Sequence, residues 1–537
     1  MPSSFLSLSL LILTLPTLHA TRPAYNGART PPRGWNSWDN SLTWATEIDI
    51  IENTRIAIDT SISGNPSMNI SNYFVTIDMD WAEYYNNTDY FGFALDEWGR
   101  FYPSPERFTN SSFTYMCNTI TSMASNIRCG AHIVYGIPIL AVNKSTPILG
   151  APGYTATDIY NKSGITGGCC YYFNSTHTAT PYYITSYIDL LVSQGITFFK
   201  LDFLPEPSFD PLVVFDIQHY RNAMDIAGDK YNVDIVLSIN GGLFDSQQLY
   251  NAGVAMKRIT PDTWDTYEMF LDHVIESGVV MSGNNTAYSN TYEISGGGGF
   301  PGFWPDLDML PIGRIGGKLT PSTPYPANGS DCTLAQLGCG NANAAESYPC
   351  CCPRQARYTM DETYSLLGLW SITRSPMIMG GDLRNTDGWI LDALANPEVI
   401  MVNQQAITSS QIQLGIAPIM VNDTVIWISQ PSEESMPVVI NHVIENISIH
   451  SNIHSNPSTA LWLYILNTAD YPQQSSILNL DSLFQTYYNN NTIETLNSVY
   501  QLRDLWQRIN IGNTSNLYQP PVLQPHASIL YSVVQMQ

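Results

Sequence analysis

Basic residues are scarce in this chain: 22 Lys and Arg stand against 46 Asp and Glu among 537 residues, a formal net charge of -24. An anion of this kind has no field for a phosphate backbone, so nucleic acid is not an expected partner. Long apolar runs are missing as well. No stretch after residue 20 reads as a transmembrane helix and the C-terminus lacks a lipid-anchor pattern, so no membrane attachment is expected. The apolar run from Phe5 to Leu18 is too short to span a bilayer. With the small Ala20 behind it, residues 1–20 read as a secretory signal peptide, and the mature chain is expected to be secreted and extracellular.

Charged residues make up only 13% of the chain, while Tyr, Asn, Ser and Thr are abundant. Sequons recur from Asn69 to Asn513. In a secretory context each is a candidate glycosylation site. The nine cysteines all follow the signal segment, so at least one has no partner within the chain. Cys117 and Cys129 are placed to close a local loop, Cys169 and Cys170 are adjacent, and Cys332, Cys339, Cys350, Cys351 and Cys352 crowd a Pro/Gly/Ser-rich segment, about 319–355, that reads as an insertion. An oxidising compartment favours disulfides over zinc, and no His sits at ligand spacing beside that cluster. The run Ser295-Gly296-Gly297-Gly298-Gly299 lacks the Lys-Ser/Thr of a phosphate loop and reads as a turn. No metal and no organic cofactor is implied.

Apolar runs alternating with helix-like stretches supply the architecture. Candidate strands are Gly34 to Trp38, Tyr73 to Met79, Cys129 to Gly136, Gly195 to Leu201, Asp234 to Ile239, Val254 to Thr260, Val279 to Ser282 and Met377 to Gly380. Eight β-α units make an α/β (β/α)8 TIM barrel, expected over residues 21–415. From about 416 to 537, β-rich runs between Asn, Pro and Ser clusters (Ile419 to Ile428, Val438 to Ile444, Ala460 to Leu466, Ala527 to Val533) predict a C-terminal antiparallel β domain. Polar groups recur at the C-terminal ends of the barrel strands, where such barrels place their chemistry. They are Trp38, Asp78, Asp80, His132, Asp202, Asn240 and Asp262. Two of these ends, Lys200-Leu201-Asp202 and Arg258-Ile259-Thr260-Pro261-Asp262, pair a cation with a carboxylate and could face each other across a sugar.

Arg33-Gly34-Trp35-Asn36-Ser37-Trp38, Ile77-Asp78-Met79-Asp80-Trp81, Lys200-Leu201-Asp202, Arg258 to Asp262, Trp304-Pro305-Asp306-Leu307-Asp308-Met309-Leu310 and Gly381-Asp382-Leu383-Arg384 occur in the order found in glycoside hydrolase family 27. The chain resembles the α-galactosidases of that family from about Pro31 to the C-terminus. The resemblance implies a TIM barrel followed by a β-sandwich, and a retaining double displacement on an oligosaccharide or glycoconjugate. In that reading Asp202 is the nucleophile and Asp262 the acid and base, preferred over Asp265 because it keeps the family's spacing from Arg258. Trp38 forms an apolar wall, Asp78 and Lys200 bind ring hydroxyls, and Arg258 lies near the 2-position. Asp306 and Asp308 brace the neighbouring loop.

The departures bear on the sugar. Where the galactosidases commonly have two adjacent acids followed by Cys-Trp, this chain has Asp78-Met79-Asp80-Trp81, so one hydroxyl contact is lost or moved. Asn240 replaces a Glu that contacts the 2-hydroxyl, and His132 replaces a Tyr. A site built for one hydroxyl pattern rejects sugars lacking it, so such changes redirect specificity while keeping the reaction. The expectations are therefore a terminal α-D-galactoside first, with a β-L-arabinopyranoside or an N-acetylgalactosaminide as alternatives. A carbohydrate-binding protein on the same scaffold is the non-enzymatic alternative.

Overall fold

A computed structural model describes residues 28–59, 73–86, 90–208, 210–240, 244, 246–281, 303–317, 353–411, 423–431, 460–488 and 498–536. The expected signal segment, the run Ser295 to Gly299, the strand Val438 to Ile444 and the cysteines from Cys332 to Cys352 lie outside these residues. Eight strands form one parallel sheet: β1 (Arg33–Asn36), β2 (Tyr73–Ile77), β3 (Ile127–Val134), β4 (Ile196–Asp202), β5 (Val236–Ile239), β6 (Met256–Arg258), β7 (Trp304–Asp306) and β8 (Met377–Met379). Their order is β7-β6-β5-β4-β3-β2-β1-β8, so each strand from β2 to β7 neighbours its predecessor and β8 returns to β1. Just past β7, Leu310 bridges Met379 in parallel and its N–H donates to Ile378. With helices between the strands, the sheet fits a TIM-like barrel.

The two-residue period of a strand separates the barrel's layers. Phe198 joins Phe74, Val236, Met256, Trp304 and Ile378 in one inner cluster, whereas Phe199 and Leu201 belong to the core beneath the helices. Lys200 and Asp202 share the face of Phe198, and both therefore point inward at the mouth. Helix packing uses the other period. Helix α1 (Glu47–Ile58) starts on a Thr46/Asp49 capping box, and α2 (Tyr267–Met281) buries Phe270, Val274 and Ser277 at helical spacing.

That helix corrects one expected strand. Val279 to Met281 belongs to α2, and the seventh strand is β7, which pairs with β6 through Met256↔Trp304 and Arg258↔Asp306. A three-residue strand with a proline at its centre leaves little pattern, since Pro305 gives no ladder hydrogen bond. The other seven expected strands stand within a few residues of their predicted places.

Beyond the barrel, six strands form an antiparallel sheet. They are β9 (Ala406–Gln411), β10 (Thr424–Pro431), β11 (Ala460–Asn467), β12 (Val499–Asp504), β13 (Ile509–Thr514) and β14 (Ser528–Met536), in the order β9-β10-β11-β14-β12-β13. The central strands are buried on both faces. Val425, Trp427, Trp462 and Tyr464 join the barrel core, while Ile426, Ile428, Leu461 and Leu463 pack with Phe484 and Leu523 into a separate cluster. Against the barrel helix α3 (Met360–Ile372), Tyr464 donates to the Ser365 carbonyl at 2.8 Å, and the absence of a β-carbon at Gly368 makes room for the Tyr464 ring. Arg503 makes a bidentate pair with Glu398 at 2.8 and 2.7 Å. These sheets are consistent with a C-terminal β domain.

Cys117 and Cys129 form the expected local disulfide. Cys169 and Cys170 are buried free thiols 3.2 Å apart. On either side of the Cys-rich segment, Arg314–Ile315 pairs antiparallel with Arg354–Gln355.

Candidate active site

Asp202 ends β4, and the register explains its neighbours. Lys200 lies beside His132 of β3 and Ser238 of β5, and Asp202 lies beside Val134. From those strands His132 Nε2 reaches Asp202 Oδ2 at 3.1 Å, and Asn240 Nδ2 donates to the same oxygen at 2.9 Å. The other oxygen accepts the N–H of Phe203 at 2.6 Å. Phe203 holds a left-handed backbone, φ 59°. An aromatic residue adopts that region at a cost of about 1–3 kcal/mol, a strain typical of ligand and catalytic sites. Burial opposes ionisation of Asp202. The hydrogen bonds and charges of His132, Lys200 and Asn240 outweigh it and hold the carboxyl well below the usual carboxylate range.

Asp78, one residue past β2, is the hub of a second set. It accepts from Lys200 Nζ at 3.0 Å, from Asn36 Nδ2 at 2.7 Å and from the Met79 N–H at 2.9 Å. Against burial, Lys200 leads in keeping it ionised. The Lys200 ammonium is in turn held charged, above its ordinary value, because Asp78, Asp202 and Asp308 outweigh its desolvation.

The opposite wall comes from β6 and β7. Arg258 is buried and donates to Asp262 Oδ1 at 2.9 Å and to Asp308 Oδ2 at 2.6 Å. Asp308 also accepts the Thr263 N–H at 2.7 Å. Asp308 thus braces the chain that carries Asp262, as expected of a support, and Asp306 accepts the Asp308 N–H at 2.9 Å. The Asp262 side chain is 74% exposed, against 13% for Asp202, so the two carboxylates sit in unlike surroundings. Asp265 is fully buried and paired with Arg354 and Arg357, away from the cleft.

One open cleft unites these groups: Trp38, Asp78, His132, Lys200, Asp202, Asn240 and Asp262 all line it. Two expected sugar contacts do not. Arg258 is covered by the carboxylates it binds. Asp80 turns away on a left-handed backbone and lines a smaller cavity behind His132, with Trp81, Phe101 and Cys169. Burial leads in pushing its carboxyl up to about 6. Met79, not Asp80, faces the cleft. The cleft also holds Asp39, Phe203, Thr263, Trp264, Asp308 and Met309. Asp39 and Phe203 directly follow the expected residues Trp38 and Asp202, which was the one available signal for them.

No protein-family model and no curated protein matches the sequence. Solved structures do. A family 27 β-L-arabinopyranosidase from Geobacillus stearothermophilus is 25% identical with a TM-score of 0.69, over 95% of this chain and 97% of that one. A variant of it in complex with arabinose gives a TM-score of 0.70 at 25% identity, over 96% of this chain and 100% of that one. α-Galactosidase I from Mortierella vinacea shares the fold at 16% identity and a TM-score of 0.56, over 95% and 98% of the two chains. The structural neighbours are family 27 enzymes, and together with the motif order and the barrel topology they support glycoside hydrolase family 27 for this chain.

Proposed function

We propose that the protein is a secreted retaining glycosidase acting on terminal pyranosides of galactose configuration, with β-L-arabinopyranosides preferred over α-D-galactosides. The family 27 structural neighbours support a glycosidase, and the neighbour with arabinose bound supports a saccharide substrate. Asp202 attacks the anomeric carbon. Its carboxylate is kept ionised by His132, Asn240 and Lys200, as a nucleophile requires. Asp262, exposed at the mouth, protonates the departing oxygen and then takes a proton from water. Asp78 and Lys200 hold ring hydroxyls, and Trp38 covers an apolar face of the sugar.

Met79 carries the choice of sugar. It is an apolar side chain in the cleft where α-galactosidases commonly present a second acid, and the next acid along the chain, Asp80, faces another cavity. A pyranoside without a hydroxymethyl group loses nothing there, whereas galactose brings a hydroxyl to an apolar contact. The preserved Asp78–Lys200 pair favours α-galactoside as the second reading. The proposal extends to the chain's organisation: a signal peptide over 1–20, a catalytic barrel over 21–415 and a β-sandwich over 416–537. A 2-deoxy-2-fluoro glycoside tests the mechanism, because it should trap a glycosyl ester that peptide mass spectrometry finds on Asp202. A label on another residue, or none with an inactivated enzyme, would refute the assignment.

A further inference from the structure

Asp39 has no part in the site derived above. It follows the wall residue Trp38, lines the same cleft and is 1% exposed. Its Oδ2 finds no hydrogen-bond partner among the described residues. An orphan carboxyl oxygen in a protein interior is costly. The barrel is shaped around it. Gly380, directly after β8, lies so close that any β-carbon there would run into Asp39 Oδ2 and Cγ.

We propose that Asp39 is a further sugar-contacting residue, hydrogen-bonding a hydroxyl of the pyranoside held between Trp38 and the Asp78–Lys200 pair. This inference rests on the glycosidase reading of the cleft and deepens it. Burial, then the charges of Asp308, Asp78 and Asp262, outweigh Lys200 and push the Asp39 carboxyl well above the usual carboxylate range. The shift favours the protonated form, which can donate to a hydroxyl as well as accept from one.

The test measures binding of free L-arabinose and D-galactose by calorimetry in an Asp202→Ala background, which separates recognition from turnover. Asp39→Asn keeps a neutral donor and acceptor of the same shape and should bind within about threefold of its parent. Asp39→Val removes both, should weaken binding by about tenfold or more, and should melt no lower than the parent because a buried orphan oxygen is gone. Asp39→Ala takes its place if the valine variant folds poorly. Parent-like sugar binding by the apolar variants would overturn the proposal, and so would an Asn variant as weak as the Val variant. If the parent bound neither sugar, the reading of the cleft itself would fail, a result distinct from any of these.

Discussion

Asn240 and His132 converge on one oxygen of Asp202, at 2.9 and 3.1 Å, from the strands on either side of it. The substitution that removes an acidic contact from the family pattern thus installs a neutral donor to the proposed nucleophile. Removing a donor to a charged group raises its pKa. In Asn240→Ala and His132→Ala the acid limb of the kcat/KM profile should move to higher pH, toward the ordinary Asp range of about 3.9. A limb that stays in place would mean that these bonds do not tune Asp202.

The same shift carries a stability signature. The folded Asp202 pKa is depressed, so the unfolded chain binds more protons between the folded value and about 3.9. This contribution is present above the unfolded pKa and is lost as pH falls through the folded one. The wild type should therefore lose stability relative to Asp202→Asn as pH drops below about 4. Thermal melts of both proteins from pH 7 to 3 check it, and a constant gap contradicts it.

Asp262→Ala should spare activated aryl glycosides and cripple substrates with alkoxide leaving groups, by about 100-fold or more, since only the latter need the proton. Steady-state rates on a leaving-group series decide this. Equal losses across the series would point to a different acid.

Met79→Asp returns a carboxylate to the cleft. The ratio of kcat/KM for α-D-galactoside over β-L-arabinopyranoside should rise by about tenfold or more, the scale set by one recovered hydroxyl contact. An unchanged ratio would remove Met79 as the discriminating residue.

Arg503→Ala strips the bidentate partner from Glu398, which is 9% exposed. Leaving a buried carboxylate unpaired should cost about 3 kcal/mol in urea unfolding without changing KM. A loss confined to catalysis would contradict a purely bracing role for the C-terminal sheet.

Much of this was legible in the sequence because barrel strands end in short-range patterns. Lys200 and Asp202 alternate within one apolar run, and β4 delivers both inward. Asp308 was expected to be a brace from the family resemblance of its motif, and its bond to Thr263 fits that role. β7 was not legible, since Trp304-Pro305-Asp306 is too short and too poor in donors to resemble a strand, whereas Val279 to Met281 is an apolar run inside a helix. Asp80 misled because sequence adjacency does not reveal backbone handedness: its positive φ sends the side chain behind His132. Asp39 was hidden for a different reason, because its seat depends on Gly380, 341 residues away, which no local pattern encodes.

The most direct test of the central claim is hydrolysis of nitrophenyl β-L-arabinopyranoside, α-D-galactoside and α-N-acetylgalactosaminide by the wild type and Asp202→Ala, with the first-formed anomer read by NMR. The account predicts fastest release from the arabinopyranoside, slower release from the galactoside, a product of retained configuration, and silence in the variant. Inversion of configuration, undiminished turnover by Asp202→Ala, or sugars that bind without being cleaved would contradict it.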